Sequence, residues 1–292
     1  MYIDMHVHTT THRLWGLHVE RADIEDLRAI AKKYHVARMV VLATYFPFKG
    51  RGLSNRELLK RIAGDDLFVP FGSLDAMNNL QAGADELYRL AYLKLIAGLK
   101  LYPGYQKFNL EDLHPVCEIA AEFNLPIMMH TGSLHHCCPR SDREAGKFRC
   151  GPSCPLDSLG YLSNPLTLSV LPNHYPDVKF IFSHMGCPHY DDMVTVMRNC
   201  PNVYTDISGQ FTSGGPYDNP KSYAEVKDTM KKIIALPNGI NRLLFGTDFP
   251  IQSYDSTIAM LRSLELSSEQ EMMIRVRNAA KLLKINNPFC RG

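Results

Sequence analysis

Eight short runs rich in Val, Ile and Phe recur along this chain with amphipathic stretches between them, and that alternation constrains the fold more than any other feature. A repeated strand-helix order lays strands parallel and covers them with helices. The runs are Tyr2 to His8, Arg38 to Thr44, Leu67 to Leu74, Ala97 to Tyr102, Pro126 to Thr131, Lys179 to His184, Asn202 to Ile207 and Arg242 to Asp248. Eight is the number of parallel strands that closes on itself, so the expected class is α/β, a (β/α)8 TIM barrel. Helical periodicity is clearest at Glu20 to His35, Glu86 to Ile96, Leu110 to Phe123, Tyr190 to Asn199 and Tyr223 to Ile234. Ser54-Asn55-Arg56-Glu57 reads as a capping box opening a short helix, and Ser267 opens an additional C-terminal helix running to about Leu283. No repeat, low-complexity segment or Gly/Ser linker divides the chain, so residues 1–292 are expected to form one barrel domain. Two long connections interrupt the pattern, Thr9 to Val19 and a cysteine-rich insertion near 132–156. Loops that follow barrel strands lie on the catalytic face.

Composition matters here for what it excludes. A formal net charge of +2 and the absence of long basic runs give no electrostatic reason to expect nucleic acid or a membrane surface as partner. The first residues lack the pattern of a secretory signal, and no apolar run reaches the ~20 residues of a membrane span. A cytoplasmic enzyme with a small-molecule substrate is the expectation, and a homodimer is among the assemblies allowed.

The candidate site comes from the strand ends. Strict alternation along the first strand would put Asp4, His6 and His8 on the inner face and Ile3, Met5 and Val7 against the surrounding helices. His130 ends the fifth strand, His184 the sixth and Asp248 the eighth, so all converge on one mouth. Unpartnered, a buried imidazole or carboxylate costs on the order of several kcal/mol. One divalent cation satisfies the group together, and so would a metal-free hydrogen-bonded network. Imidazoles with one carboxylate suit Zn2+, with Mn2+, iron or cobalt also compatible.

Several segments resemble the amidohydrolase superfamily, and within it the amidohydrolase-related branch that includes enzymes of the aminocarboxymuconate semialdehyde decarboxylase type. They are Ile3-Asp4-Met5-His6-Val7-His8, Gly98-Leu99-Lys100-Leu101-Tyr102-Pro103, Leu125 to Gly132, Ser183-His184-Met185-Gly186, Asn202-Val203-Tyr204-Thr205-Asp206, Leu244 to Pro250 and Asn278 to Leu283. The resemblance implies one active-site metal held by His6, His8, His130 and Asp248, with Asp248 as the first candidate to take the proton of the metal-bound water and His184 as the second, acting as acid-base group or charge stabiliser. It also implies an alternative, because Lys100 ends the fourth strand where two-metal members carry a bridging lysine. If Lys100 does not bridge, it is a candidate for salt-bridging within the barrel or for binding a substrate carboxylate.

A +2 ion with one aspartate leaves a net positive site, which favours an anionic substrate. Arg51 and Lys49 follow the second strand, and Arg51 offers a bidentate carboxylate clamp. Tyr102, Tyr45 and Trp15 are candidates to line a pocket for an aromatic or enol acid. Cys137, Cys138, Cys150 and Cys154 cluster in the long loop as candidate ligands of a second zinc, although their spacing is looser than that of common zinc motifs. The leading functional expectation is hydrolysis of a C–O or C–N bond in a small carboxylated molecule by a metal-activated water. Non-oxidative decarboxylation of a small unsaturated or aromatic acid is the first alternative, and an inactive barrel acting as a binding protein is the second.

Overall fold

The computed structural model describes residues 1–9, 22–44, 53–74, 80–106, 108–134, 160–211 and 220–286. Eight strands form one sheet in sequence order: β1 (Tyr2–Val7), β2 (Val36–Leu42), β3 (Phe68–Ser73), β4 (Gly98–Leu101), β5 (Ile127–Met129), β6 (Phe180–Phe182), β7 (Val203–Asp206) and β8 (Leu243–Leu244). Every ladder between successive strands is parallel. The first and last strands meet through the Met5 N–H donating to the Phe245 carbonyl (3.0 Å) and the His8 N–H donating to that of Phe249 (2.8 Å). This is the (β/α)8 barrel that the alternation predicts.

Two buried layers separate the faces of the sheet. Val7, Val41, Leu99, Ile127, Phe180, Val203 and Leu243 pack outward with Leu27, Leu87, Val116 and Met193 of the covering helices. Ile3, Met5, Val40, Leu42, Phe71, Met128, Ile181 and Leu244 form the second cluster. Only the lumen can bring side chains from six different strands together, so these residues fill the lower barrel. A Cβ on Gly98 would lie 2.4 Å from the Phe71 ring, so the missing side chain on β4 is what admits the large one on β3.

The parity of β1 departs from strict alternation. Its register against β2 shifts between Asp4 and Val7. Ile3 and Met5 therefore enter the lumen while Val7 joins the outer layer. Asp4 does not share a face with His6 and His8 as ligands would; it accepts from the Thr247 hydroxyl (2.6 Å) and the Thr247 and His6 N–H groups (both 3.0 Å), tying β1 to the segment after β8. A period-two reading cannot carry a bulge, because the extra residue inverts every position after it.

Most helices match their predicted positions. Asp23 and Ser54 close capping boxes ahead of Ile24–Tyr34 and Asn55–Ile62, and Tyr190–Asn199 has the expected bounds. The third helix differs: it spans Leu80–Tyr92, because Gly83, Ala84, Leu87 and Ala91 form its buried stripe, and the chain turns through a left-handed Lys94 (φ 54°) before β4. At the C-terminus a helical stretch runs from Ser268 to Leu282 with a π segment at Met273–Arg277. Val276, Ala279 and Ala280 cap the lumen cluster from below, and the Ile274 carbonyl accepts the Phe245 N–H at 3.0 Å. Among the described residues, no helix is long and apolar enough to cross a membrane.

Candidate metal centre

Above the apolar plug the lumen changes character within one residue of β1, from Met5 to His6. His6, His184, Asp206 and Asp248 are all buried there, and His8 lies at the rim. Asp248 follows β8 in a left-handed conformation (φ 61°) and donates its N–H to the His6 carbonyl at 2.8 Å. His184 follows β6 and is also left-handed (φ 63°). Such backbone at non-glycine residues costs on the order of 1–3 kcal/mol and persists where the surroundings over-determine it.

The Asp248 Oδ1 atom is 3.1 Å from His8 Nε2 and 3.5 Å from His6 Nε2. It is fully buried, and among the described residues no hydrogen bond satisfies it. These three groups are close enough together to serve one cation, as are His6, His184 and Asp206. A buried carboxylate oxygen left bare between two imidazole nitrogens is the geometry that a divalent ion completes, so the residues fit a metal. Protonation agrees with that role. Burial, reinforced by the Lys100 charge, pushes His6 down to about 3 and keeps it neutral. Burial opposes the ionisation of Asp248, but the imidazoles facing it, His6 first, outweigh it and hold the carboxyl well below the usual range. Metal ligands must be deprotonated, and the shifts of His6 and Asp248 run in that direction.

His130 stands apart from both three-residue groups. Its Nε2 lies 3.1 Å from the Ser133 carbonyl, and its Nδ1 lies 3.3 Å from His184 Nε2. Gly132 allows the chain to leave β5 beside this histidine: its φ is +88°, and a Cβ would lie 1.9 Å from the Cys187 carbonyl. Only glycine fits there.

Lys100 is fully buried, donates to Ser183 Oγ at 3.1 Å and lies 4.8 Å over the Tyr102 ring. Burial lowers it to about 7, against the pull of Asp206 and Asp248. The Tyr102 ring is 6.3 Å from His130, and Tyr105 packs at 5.2 Å from the same imidazole. Arg51, Lys49, Tyr45, Trp15 and the four loop cysteines Cys137, Cys138, Cys150 and Cys154 lie outside the described residues.

Two residues with no role assigned from sequence join the site. Asp206 ends β7 with Oδ2 at 3.1 Å from His6 Nδ1, and Ser208 Oγ lies 2.9 Å from His184 Nδ1. Burial disfavours charge on Asp206, yet His6 and His184 keep it ionised. The signals available were positional, a carboxylate at a strand end beside two other polar strand ends, and its place at the end of the family-like segment Asn202 to Asp206.

Solved structures share this architecture. A 2,6-dihydroxybenzoate decarboxylase complexed with 2,6-dihydroxybenzoate superposes with a TM-score of 0.66 at 17% identity, over 98% of this chain and 100% of the other. A dihydroxybenzoic acid decarboxylase from Polaromonas sp. JS666, with bound manganese and 2-nitroresorcinol, gives 0.65 at 18% identity over 98% of both chains. The 5-carboxyvanillate decarboxylase of Sphingomonas paucimobilis gives 0.60 at 16% identity over 91% of this chain and 84% of the other. No curated protein sequence matches significantly. The amidohydrolase family model, in contrast, matches residues 3–285, nearly the whole barrel with every strand-end residue described above, and the chain belongs to the amidohydrolase family of enzymes.

Proposed function

We propose that the chain is a metal-dependent, non-oxidative decarboxylase of a small aromatic or unsaturated carboxylic acid. The observation that carries this reading is the bare Asp248 Oδ1 between His6 and His8, a seat for one cation, with the second polar ring of His184 4.8 Å from that of His6. Support for decarboxylation over hydrolysis comes from the solved structures named above. They are decarboxylases of aromatic acids, the two dihydroxybenzoate enzymes align over 98% or more of both chains, and one holds manganese.

His6, His8 and Asp248 would hold the ion, with His130 as the fourth candidate ligand and zinc or manganese as the candidate metals. Bound there, it supplies Lewis acidity toward the anionic oxygens of a substrate. The protein's own groups do the rest. The bond between the carboxyl carbon and the ring breaks, carbon dioxide leaves, and the electron pair remaining on the ring carbon takes up a proton. His184 is the proposed proton donor, with Nδ1 tied to Ser208 and Nε2 turned toward His130 Nδ1. Asp248 is the alternative acid-base group. Tyr102 and Tyr105 offer aromatic surface beside His130, and Lys100 is the candidate partner for a substrate carboxylate.

The test is to supply metal-loaded protein with a panel of hydroxybenzoates, including 2,6-dihydroxybenzoate, in D2O. Carbon dioxide should appear in equal amount with the decarboxylated phenol, which carries one deuterium at the vacated carbon. Turnover of lactones or amides with no carbon dioxide from any acid would return the hydrolytic reading to first place.

A further inference from the structure

We propose that Asp206 is the positioning residue that fixes the ring proton of both His6 and His184 on Nδ1. The inference rests on the reading of His6 as a metal ligand and is independent of which bond the enzyme breaks.

The argument is a count of protons. Asp206 Oδ1 accepts the His184 N–H at 3.0 Å and the Ser208 N–H at 3.1 Å, and the Ser208 hydroxyl is in close contact with it. Backbone amides can only donate, so this oxygen is a bare acceptor, and it takes the one proton of the Ser208 hydroxyl. Ser208 Oγ then has only lone pairs to offer to His184 Nδ1 at 2.9 Å and to His6 Nδ1 at 3.2 Å. The Ser208 carbonyl, which can only accept, also faces His184 Nδ1 at 3.2 Å. His184 must therefore carry a proton on Nδ1, and its exchanging position is Nε2.

The second oxygen, Asp206 Oδ2, faces His6 Nδ1 at 3.1 Å, which places the His6 proton on that nitrogen. The lone pair of His6 Nε2 is then directed toward Asp248. Gln210 braces the arrangement, donating to the carbonyls of Ser208 and His184, both at 2.8 Å. One carboxylate thus sets a ligand with one oxygen and the neighbouring acid-base ring with the other. A carboxylate that orients a ligating imidazole is a recognised way to tune a metal site.

Asp206→Asn tests this with almost no change of shape. With three donors at Oδ1, the amide oxygen stays there and the NH2 turns to His6, which forces the His6 proton onto Nε2. Zinc affinity, measured by chelator competition without substrate, should fall by about 10–100-fold, while Ser208→Ala should stay within about twofold of wild type. In the metal-free variant, long-range 1H–15N spectra should move the His6 ring proton from Nδ1 to Nε2. Wild-type zinc affinity in a folded Asp206→Asn protein would overturn the proposal. So would an Nε2–H signature for His6 in the metal-free wild type, a measurement that decides the matter even if the variant does not fold. A wild-type protein that binds no zinc or manganese would sink the metal reading instead, and the His6 spectrum would still report on Asp206.

Discussion

The lower and upper halves of the barrel lumen are built from the same strands and differ in what completes them. Below, Ile3, Met5, Val40, Leu42, Phe71, Met128, Ile181 and Leu244 complete one another, with the C-terminal helix as a cap. Above, His6, His184, Asp206 and Asp248 are equally buried but are satisfied by hydrogen bonds, and one carboxylate oxygen is left over. Apolar packing is non-directional, and many side-chain sets of the right volume would fill the lower half. The polar half admits no such freedom, because each donor must meet an acceptor within a few tenths of an ångström. Stability therefore resides below and ligand selectivity above, and the two should be separable by mutation.

The largest effect should come from the upper half. His6→Ala removes a ligand whose ion supplies several kcal/mol of charge stabilisation, so activity should fall by ~10³-fold or more. Metal content by mass spectrometry should fall with it. An inactive variant with its full metal complement would show that His6 is not a ligand.

His184→Asn should lose about 10²–10⁴-fold in kcat, the range for acid-base groups, with metal retained. Equal loss of metal would assign His184 to the ion and move the proton donor to Asp248.

Phe71→Ala addresses the lower half. Truncating a fully buried phenylalanine typically costs about 3–5 kcal/mol, measurable in denaturant, with the metal-to-protein ratio unchanged in the fraction that folds. If zinc affinity dropped in parallel, the two halves would be one cooperative unit and the contrast would fail.

The smallest effect concerns the outer layer, where Cys117 is buried on the His114–Phe123 helix. Burial pushes its thiol up to about 12, above the ordinary value near 9. The folded protein therefore holds a proton that the unfolded chain releases, so stability is fully present below pH 9 and declines above it, by at most about 1.4 kcal/mol per pH unit. Cys117→Ala should flatten that alkaline slope in thermal melts. An unchanged slope would assign it to other groups.

The sequence makes the strand count and the polar strand ends legible because both are local properties. Val, Ile and Phe runs mark β2 and β6 without reference to the rest of the chain, and His184 and Asp248 stand out by closing such runs. Asp206 closes one too, yet its meaning lies in contacts with His6, 200 residues away, and with His184, which spacing cannot report. The bulge in β1 is hidden for another reason. Tyr2 through Val7 are all buried, so there is no exposed face against which to read parity. The Leu80–Tyr92 helix is read past its C-terminal end because Leu93 and Leu95 extend the apolar pattern into a turn where they are exposed.

The seam between β1 and β8 also has a consequence in time. A ribosome presents Asp248 more than two hundred residues after His6, and the Ile274 carbonyl that receives the Phe245 N–H emerges later still. At roughly 5–20 residues per second the first ligand waits ten seconds or more for its partner. Until then β1 has β2 beside it and an open edge on the other side. The cation seat is thus assembled late, by contacts of large sequence separation, and an incomplete nascent chain cannot capture metal in that geometry.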